Sequence, residues 1–244
     1  MKTVEKREVY SSQSAEFIQN SEEGKFLKLI SDTFLIKMEN GKQGYAIRHL
    51  NGKDMLLIDT SEKGAQKAVK QLVTDGYKIK GIILTHKGAI SHAYDSLKTI
   101  SEDAGGAPIF THPINVKDSS FEVKDISVKN NVFDHFSITV HDFPSKTGES
   151  TVLYSEINEG MIFAGCSAVG APYDSDEKGF KRPDMGSENK NYSLSESWGA
   201  IMHEFMYFFP HQGKPAFNLS DGEQKDLILA LSDSKKPNAV NPNL

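Results

Sequence analysis

Short apolar runs separated by turn residues fill the first third of the chain. Apolar, β-prone residues occupy 34–38, 45–50 and 55–58, and the dipeptides Asn40-Gly41 and Asn51-Gly52 lie between them. Asn-Gly between two apolar runs favours a tight hairpin, because both residues tolerate positive φ angles. The pattern therefore predicts antiparallel strands connected by hairpins.

The spacing of apolar residues becomes helical after residue 64, and Gly76 follows where a helix-terminating glycine belongs. A short apolar run at 81–85 predicts a buried strand. The pattern at 93–100 predicts a second helix, and the run at 108–111 predicts another strand. The first helical stripe consists of Ala65, Ala68, Val69, Leu72 and Val73. Strands that alternate with helices favour parallel pairing through crossover connections.

The second half of the chain returns to β-prone runs at 137–140, 151–154 and 161–164. A polar stretch without a clear period follows at 170–192. A loop of this length inside a compact domain is either functional or a surface excursion, and both interpretations stay open. Capping-box patterns at 193–196 and 220–223 predict the starts of two final helices.

Composition places the chain among ordinary globular proteins. It has 244 residues, with 38% hydrophobic and 25% charged residues and a net charge of −5. The acidic balance argues against nucleic-acid binding, and no apolar run is long enough to cross a membrane. A polar segment at 1–25, a domain at 26–234 and a loose tail at 235–244 are expected.

One cysteine, Cys166, excludes an intrachain disulfide, and no signal peptide is recognisable at the N-terminus. Both observations favour the cytoplasm. The sequence does not fix the oligomeric state, and a homodimer is compatible with it.

Residues with metal-binding or acid–base chemistry follow the ends of several predicted elements. His86 and His92 follow the run at 81–85, Cys166 follows 161–164, and His211 follows the first of the two final helices. Imidazole and thiolate groups are good ligands for zinc and similar metals. Each residue also has a structural interpretation, as a buried or surface side chain without a ligand.

The segments around these residues resemble the metallo-β-lactamase superfamily over about 31–215. Ile58-Asp59-Thr60 resembles the family's strand-end motif, and 82–86 resembles the strand that leads into its His-x-His-x-Asp-His motif. The segments 109–112, 161–166 and 209–213 resemble the later strand ends and the closing histidine turn. The resemblance implies an αββα sandwich, two mixed β-sheets flanked by helices, with a pocket at one edge.

The metal motif of that family is incomplete in this chain. Gly88 stands at the second histidine position, and the aspartate position falls on Ile90 or, with one inserted residue, on Ser91. The motif's last histidine falls on Ser91 or His92, and the mid-chain histidine position falls on Ser145 or Lys146. The resemblance therefore leaves four metal-ligand candidates, namely His86, His92, Cys166 and His211.

This loss argues against a dinuclear hydrolase, since catalytic zinc needs about three protein ligands and an open position. The expected state is a pocket without a metal, and one zinc, iron or manganese ion is the alternative. The expected pocket consists of Thr85, His86, Lys87, His92, Ser145, Lys146, Cys166 and His211.

Three functions follow from these alternatives. The first is an inactive or altered hydrolase homologue that binds a small ligand or partner in the old pocket, where Lys87 and Lys146 favour an anion. The second is a metal-dependent hydrolase of esters, thioesters, lactones or phosphodiesters with a rebuilt mononuclear site. The third is a scaffold that acts through its surface, with 170–192 as the contact loop.

Overall fold

A computed structural model describes residues 16–90, 94–116, 122–146 and 148–235. His92, one of the expected pocket residues, lies outside the described residues. So do 1–15 of the expected N-terminal segment and 236–244 of the expected tail.

Thirteen strands are assigned among the described residues, seven of them in one mixed sheet with the order β1-β2-β3-β4-β5-β6-β7. Strands β1 to β4 pair antiparallel, and β4 to β7 pair parallel. The strands of this sheet are β1 (Phe26–Ile30), β2 (Thr33–Lys37), β3 (Gln43–Arg48), β4 (Asp54–Ile58), β5 (Lys78–Ile83), β6 (Ile109–Thr111) and β7 (Lys124–Asp125).

The second sheet has four strands in the order β13-β10-β9-β8, with β10 and β13 parallel and the other pairs antiparallel. A separate two-stranded ribbon joins β11 to β12. The remaining strands are β8 (Ile138–Pro144), β9 (Glu149–Ser155), β10 (Met161–Gly165), β11 (Val169–Gly170), β12 (Phe180–Lys181) and β13 (Tyr207–Pro210).

Two helices cover the outer face of each sheet, and a short helix between these two pairs in the chain packs Phe133 into the cluster between the sheets. In chain order, these helices are α1 (Ala65–Thr74), α2 (Tyr94–Asp103), α3 (Asn131–His135), α4 (Glu188–Gly199) and α5 (Asp221–Ser232). Short 3-10 turns occur at Glu39–Gly41, Lys87–Ala89, Pro113–Val116 and Ile157–Glu159.

Three apolar clusters define the layers of the molecule. One lies between the sheets and joins side chains such as Ile58 and Ile83 to Phe163 and Phe209. A second packs the first sheet against α1 and α2. A third packs the second sheet against α4 and α5, with Trp198 fully buried. The expected αββα sandwich is therefore confirmed, because each amphipathic element buries its apolar face against a neighbouring layer.

The local predictions succeed where the period of the pattern is clear. The Asn-Gly hairpins connect β2, β3 and β4 as expected, and α1 follows the predicted stripe. The capping box at Ser220 is confirmed, with Glu223 N–H donating to the Ser220 hydroxyl and the Glu223 carboxylate accepting from Ser220 N–H.

The predicted capping box at 193–196 is wrong, and part of the predicted loop at 170–192 is structured. Helix α4 starts at Glu188, so Ser193 lies inside it, and Ser187 is the N-cap residue. The Asn191 side chain accepts a hydrogen bond of 2.8 Å from Met185 N–H and fixes this earlier start. Strands β11 and β12 occupy another part of the same stretch.

Within the described part of the chain, none of the helices is both long and apolar enough to cross a membrane.

Candidate functional site

Four strand ends meet at one edge of the sandwich and carry the candidate residues. Asp59 follows β4 and His86 follows β5 in the first sheet, whereas Cys166 follows β10 and His211 follows β13 in the second. The carboxyl ends of parallel strands lie at the same sheet edge, so each sheet brings its two residues together.

Backbone hydrogen bonds join the two sheets at this edge. Gln43 N–H donates to the His211 carbonyl at 2.9 Å, and Thr151 N–H donates to the Thr85 carbonyl at 2.8 Å. The site is therefore formed on backbone that both sheets hold in place.

A chain of hydrogen bonds orients His86. Thr85 donates to the Asp59 carboxylate twice, from its backbone N–H at 2.8 Å and from its hydroxyl at 2.6 Å. The same hydroxyl lies 2.9 Å from His86 Nδ1. Because the hydroxyl hydrogen is given to Asp59, the hydroxyl oxygen accepts from Nδ1–H. This tautomer leaves the lone pair of His86 on Nε2.

Gly165 makes this arrangement sterically allowed. Its φ angle is +52°, and a Cβ atom there would lie 2.3 Å from the Thr85 hydroxyl oxygen. A side chain at this position would therefore displace the hydroxyl that connects Asp59 to His86.

His211 lies beside His86 in a tight turn. The two ring centroids are 4.7 Å apart in an edge-to-face arrangement, and His211 Nδ1 is 4.0 Å from the Asp59 carboxylate. The Gln43 amide and the Tyr45 hydroxyl both donate to the Pro210 carbonyl, at 3.0 and 2.6 Å. These bonds fix the backbone that carries the imidazole.

Neither ring nitrogen of His211 has a hydrogen-bond partner among the described residues, although the residue is only 4% exposed. Buried polar atoms are nearly always paired with protein, water or a bound ion. Both ring nitrogens of His211 therefore have unmet hydrogen-bonding capacity.

Burial keeps both imidazoles neutral. It lowers the pKa of His86 and that of His211 to about 3, and the positive charge of Lys42 acts in the same direction on both. Burial also raises the pKa of Asp59, against the opposing effects of His211 and of the Thr85 hydrogen bonds. At neutral pH the site therefore contains two uncharged bases above a buried carboxyl group.

The surroundings of Cys166 make its thiol unreactive. Burial raises its pKa to about 12, and its sulfur lies 3.7 Å from the Ser150 hydroxyl. The neighbouring Ser167 carbonyl accepts a hydrogen bond of 3.0 Å from the Trp198 indole, which fixes this loop. A thiol that stays protonated at neutral pH is a poor nucleophile.

A cavity of about 50 Å³ opens between these residues and the loops around them, which is room for a few water molecules. Of the expected pocket residues, it is lined by His86, Ser145, Lys146, Cys166 and His211.

The other two described members of the expected pocket lie elsewhere. Thr85 lies beneath His86 and contacts Asp59. Lys87 is exposed, with its aliphatic stem against Gly148.

The sequence reasoning missed two charged residues that line the cavity and the carboxyl group beneath it. Lys42 precedes β3 and pairs with Glu62 at 2.9 Å, and Asp184 belongs to the stretch expected to be a loop. Asp59 was noted only as part of a family-like motif. Its position directly after an apolar strand was the signal that could have identified it.

Gly88 and Ile90 stand at positions where the resemblance expects metal ligands, and neither side chain can bind a metal. Ser91 and His92, the alternatives for the aspartate and last-histidine positions, lie outside the described residues. Gly88 has no donor atom, and a Cβ there would lie 3.0 Å from His86 Cδ2. Ile90 is fully buried in the apolar cluster against α1 and α2. Among the described residues, no three His, Cys, Asp or Glu side chains are grouped so that they could hold a metal ion.

No protein-family model matches the chain, and no curated protein sequence matches it. Solved structures do match. The DIM-1 metallo-β-lactamase superposes with a TM-score of 0.62 and 15% identity, over 87% of this chain and 98% of that one.

Two further structures agree. A metallo-β-lactamase from Pontibacter korlensis gives a TM-score of 0.59 and 13% identity, over 86% of this chain and 99% of that one. A β-lactamase domain protein from Burkholderia ambifaria gives a TM-score of 0.59 and 12% identity, over 88% of this chain and 76% of that one. The chain therefore has the metallo-β-lactamase fold, which by itself fixes no reaction.

Proposed function

We propose that this protein binds a small anionic molecule in the cavity at the sandwich edge and that it does not work through a dinuclear metal centre. The observation that carries the proposal is the composition of that cavity. Its inner end holds two neutral imidazoles, and its wall holds Lys42 and Lys146.

Cationic side chains dominate the mouth of the cavity. Lys146 is exposed there, and Lys190 reaches the same rim, where its ammonium group donates to the Ser145 and Lys146 carbonyls at 3.2 Å each. Asp184 is the carboxylate among the lining residues. Lys42, Lys146 and Lys190 therefore outnumber the carboxylates of Asp184 and of Glu62, which pairs with Lys42, and an excess of positive charge raises the local concentration of anions.

The inner end favours a ligand that also carries a hydrogen-bond donor. His86 Nε2 presents a lone pair, because Nδ1–H is given to Thr85. A hydrogen phosphate offers both negatively charged oxygens and an acidic hydrogen. Such a group would satisfy the imidazoles while its charge faces the lysines.

The test is calorimetric titration of the untagged protein with inorganic phosphate, at low and high salt, with glycerol as the neutral comparison. We expect phosphate binding that weakens with salt and falls at least tenfold in Lys42→Gln and in Lys146→Gln. Lys129→Gln changes an exposed lysine that is not among the lining residues and is the matched control. Equal affinity for phosphate and glycerol would contradict the proposal.

One observation favours a second function, a metal-dependent hydrolase with a mononuclear site. The two unpaired, buried nitrogens of His211 are what a missing metal ion would leave. His86 Nε2, His211 and Cys166 would hold the ion, which would supply an activated water. Binding would require loss of the thiol proton of Cys166 and closer convergence of the three side chains.

Elemental analysis separates the two functions. If the first proposal is right, protein purified without chelator should contain no zinc, iron or manganese that depends on His211. About one ion per chain that disappears in His211→Ala would instead support the hydrolase, and ester and phosphodiester substrates should then be screened.

A further inference from the structure

A second pair of histidines lies on the second sheet, outside the cavity. His141 belongs to β8, and His203 follows α4 in the segment that leads to β13. Their Nε2 atoms are 2.9 Å apart, and their ring centroids are 4.9 Å apart. In this arrangement one Nε2–H donates to the lone pair of the other.

We propose that His141 and His203 bind one divalent transition-metal ion through their Nε2 atoms. The site is independent of the proposed ligand pocket, and neither histidine lines that cavity. Imidazole nitrogen suits borderline ions such as Ni²⁺, Cu²⁺ and Zn²⁺.

The spacing of the two nitrogens carries this inference. Two ligand nitrogens at about 2.1 Å from a metal lie roughly 3.0 Å apart at a right angle and roughly 3.4 Å apart in a tetrahedron. The observed separation of 2.9 Å fits the right angle of octahedral or square-planar coordination. To replace the shared hydrogen with a metal ion, each ring must turn so that its lone pair points to an ion beside the N–N line, and the N–N separation favours Ni²⁺ and Cu²⁺ over tetrahedral Zn²⁺.

Neighbouring residues restrain both rings at this separation. Tyr154 stacks on His203 with ring centroids 3.9 Å apart and an angle of 10° between the planes. Strand β8 holds His141 through its pairing with Val152 on β9. Ordering the ligands before the ion arrives lowers the entropy cost of binding.

The electrical environment also suits a cation. The negative charge of Asp142 raises the pKa of His141, and that of Glu156 raises the pKa of His203. Each carboxylate therefore favours a positive charge at its histidine. Burial outweighs these effects and lowers the pKa of both histidines, so both are neutral at pH 7 and free to bind a metal. Water would complete the coordination, with Glu204 adding negative charge next to His203.

A second histidine pair provides the matched control. His49 and His135 stack face to face with ring centroids 3.8 Å apart, and His135 Nε2 is already bound to Asp54 at 3.0 Å. The planes of these two rings are 25° apart, and His135 Nε2 is engaged by Asp54, so this pair should not chelate an ion.

The test uses the untagged full chain carrying His86→Gln and His211→Gln, so that the pocket donors are absent. Calorimetric titration with NiCl₂ should give one ion per chain, and His141→Gln or His203→Gln should each weaken binding at least tenfold. His49→Gln should leave it unchanged. Nickel binding that survives both substitutions, or no stoichiometric binding, would overturn the proposal.

Electron paramagnetic resonance of bound Cu²⁺ provides a second test that needs no substitution of His141 or His203, because it detects the ligand nitrogens directly. The pocket donors are present in the unmutated full chain, so it is compared with the His86→Gln, His211→Gln protein. Hyperfine splitting from two equivalent imidazole nitrogens in both samples supports the site. Splitting from fewer than two nitrogens in the variant lacking the pocket donors overturns it.

Discussion

Gly165 approaches Thr85 so closely that a β-carbon on the glycine would lie 2.3 Å from the threonine hydroxyl oxygen. Gly165→Ala should therefore destabilise the fold by about 2–4 kcal/mol, through overlap and an unfavourable φ angle together. The measurement is urea unfolding.

Gly41→Ala is the control for this substitution. Its φ angle is +70°, but no other atom lies within 4 Å of the added carbon, so it should cost only about 1–2 kcal/mol. Equal losses in the two variants would show that the contact with Thr85 is unimportant.

The hydroxyl group of Thr85 should contribute more to the stability of the fold than the volume of its side chain. Thr85→Val keeps the volume but removes the donor to Asp59 and the acceptor for His86. We expect a loss of about 2–4 kcal/mol, because the buried carboxyl group loses a hydrogen bond. Thr85→Ser restores the hydroxyl and should recover most of that loss in the same unfolding experiment. Equal stability of the Thr85→Val and Thr85→Ser proteins would show that this chain of hydrogen bonds contributes little to the free energy of unfolding.

Acid should destabilise the protein through His86 and His211. Their pKa values are about 3 in the folded chain and about 6.5 when unfolded, so the unfolded state binds more protons between these limits. Their contribution is complete above about pH 6.5 and is lost as pH falls toward 3. Near pH 5 the two groups should add about 2.7 kcal/mol per pH unit to the slope of the unfolding free energy.

That slope is measured by urea unfolding at a series of pH values. The variant with both His86→Gln and His211→Gln lacks the two groups and should show a correspondingly smaller slope. Parallel curves for the two proteins would contradict neutral, buried histidines at this site.

The revised start of α4 can be tested with serine substitutions. Ser220→Ala removes a true N-cap and should cost about 1 kcal/mol. Ser193→Ala lies within α4 on an exposed position, so it should be neutral or slightly stabilising. Thermal unfolding of both variants provides the comparison, and a large loss in Ser193→Ala would favour a helix that begins there.

Much of the fold follows from local patterns. Asn40-Gly41 and Asn51-Gly52 specify hairpins, and the apolar stripe of α1 specifies a helix, because each pattern depends only on neighbouring residues. The start of α4 does not follow from such a pattern, because Ser187 is the N-cap but Lys190 stands where a capping box would have Glu or Gln. Burial of Leu194 and Trp198 on a helix that begins earlier outweighs the better capping pattern.

The candidate site is less accessible to such reasoning. His86, Cys166 and His211 could be proposed because each follows a recognisable strand or turn. The hydrogen bonds that orient these side chains could not be predicted from the sequence. The Asp59–Thr85 contact depends on the parallel pairing of β4 with β5 and on the approach of β10. Lys42 lies in the turn between β2 and β3, and no local pattern assigns it to the cavity.

The bonds that join the two sheets at the cavity link parts of the chain far apart in sequence. The Gln43 amide holds the carbonyls of Pro210 and Gly213, and those contacts span 167 and 170 residues. During synthesis the early segments leave the ribosome first. We therefore expect the cavity to be completed only when the last strand joins the second sheet, so that ligand binding by a nascent chain would report the end of its folding.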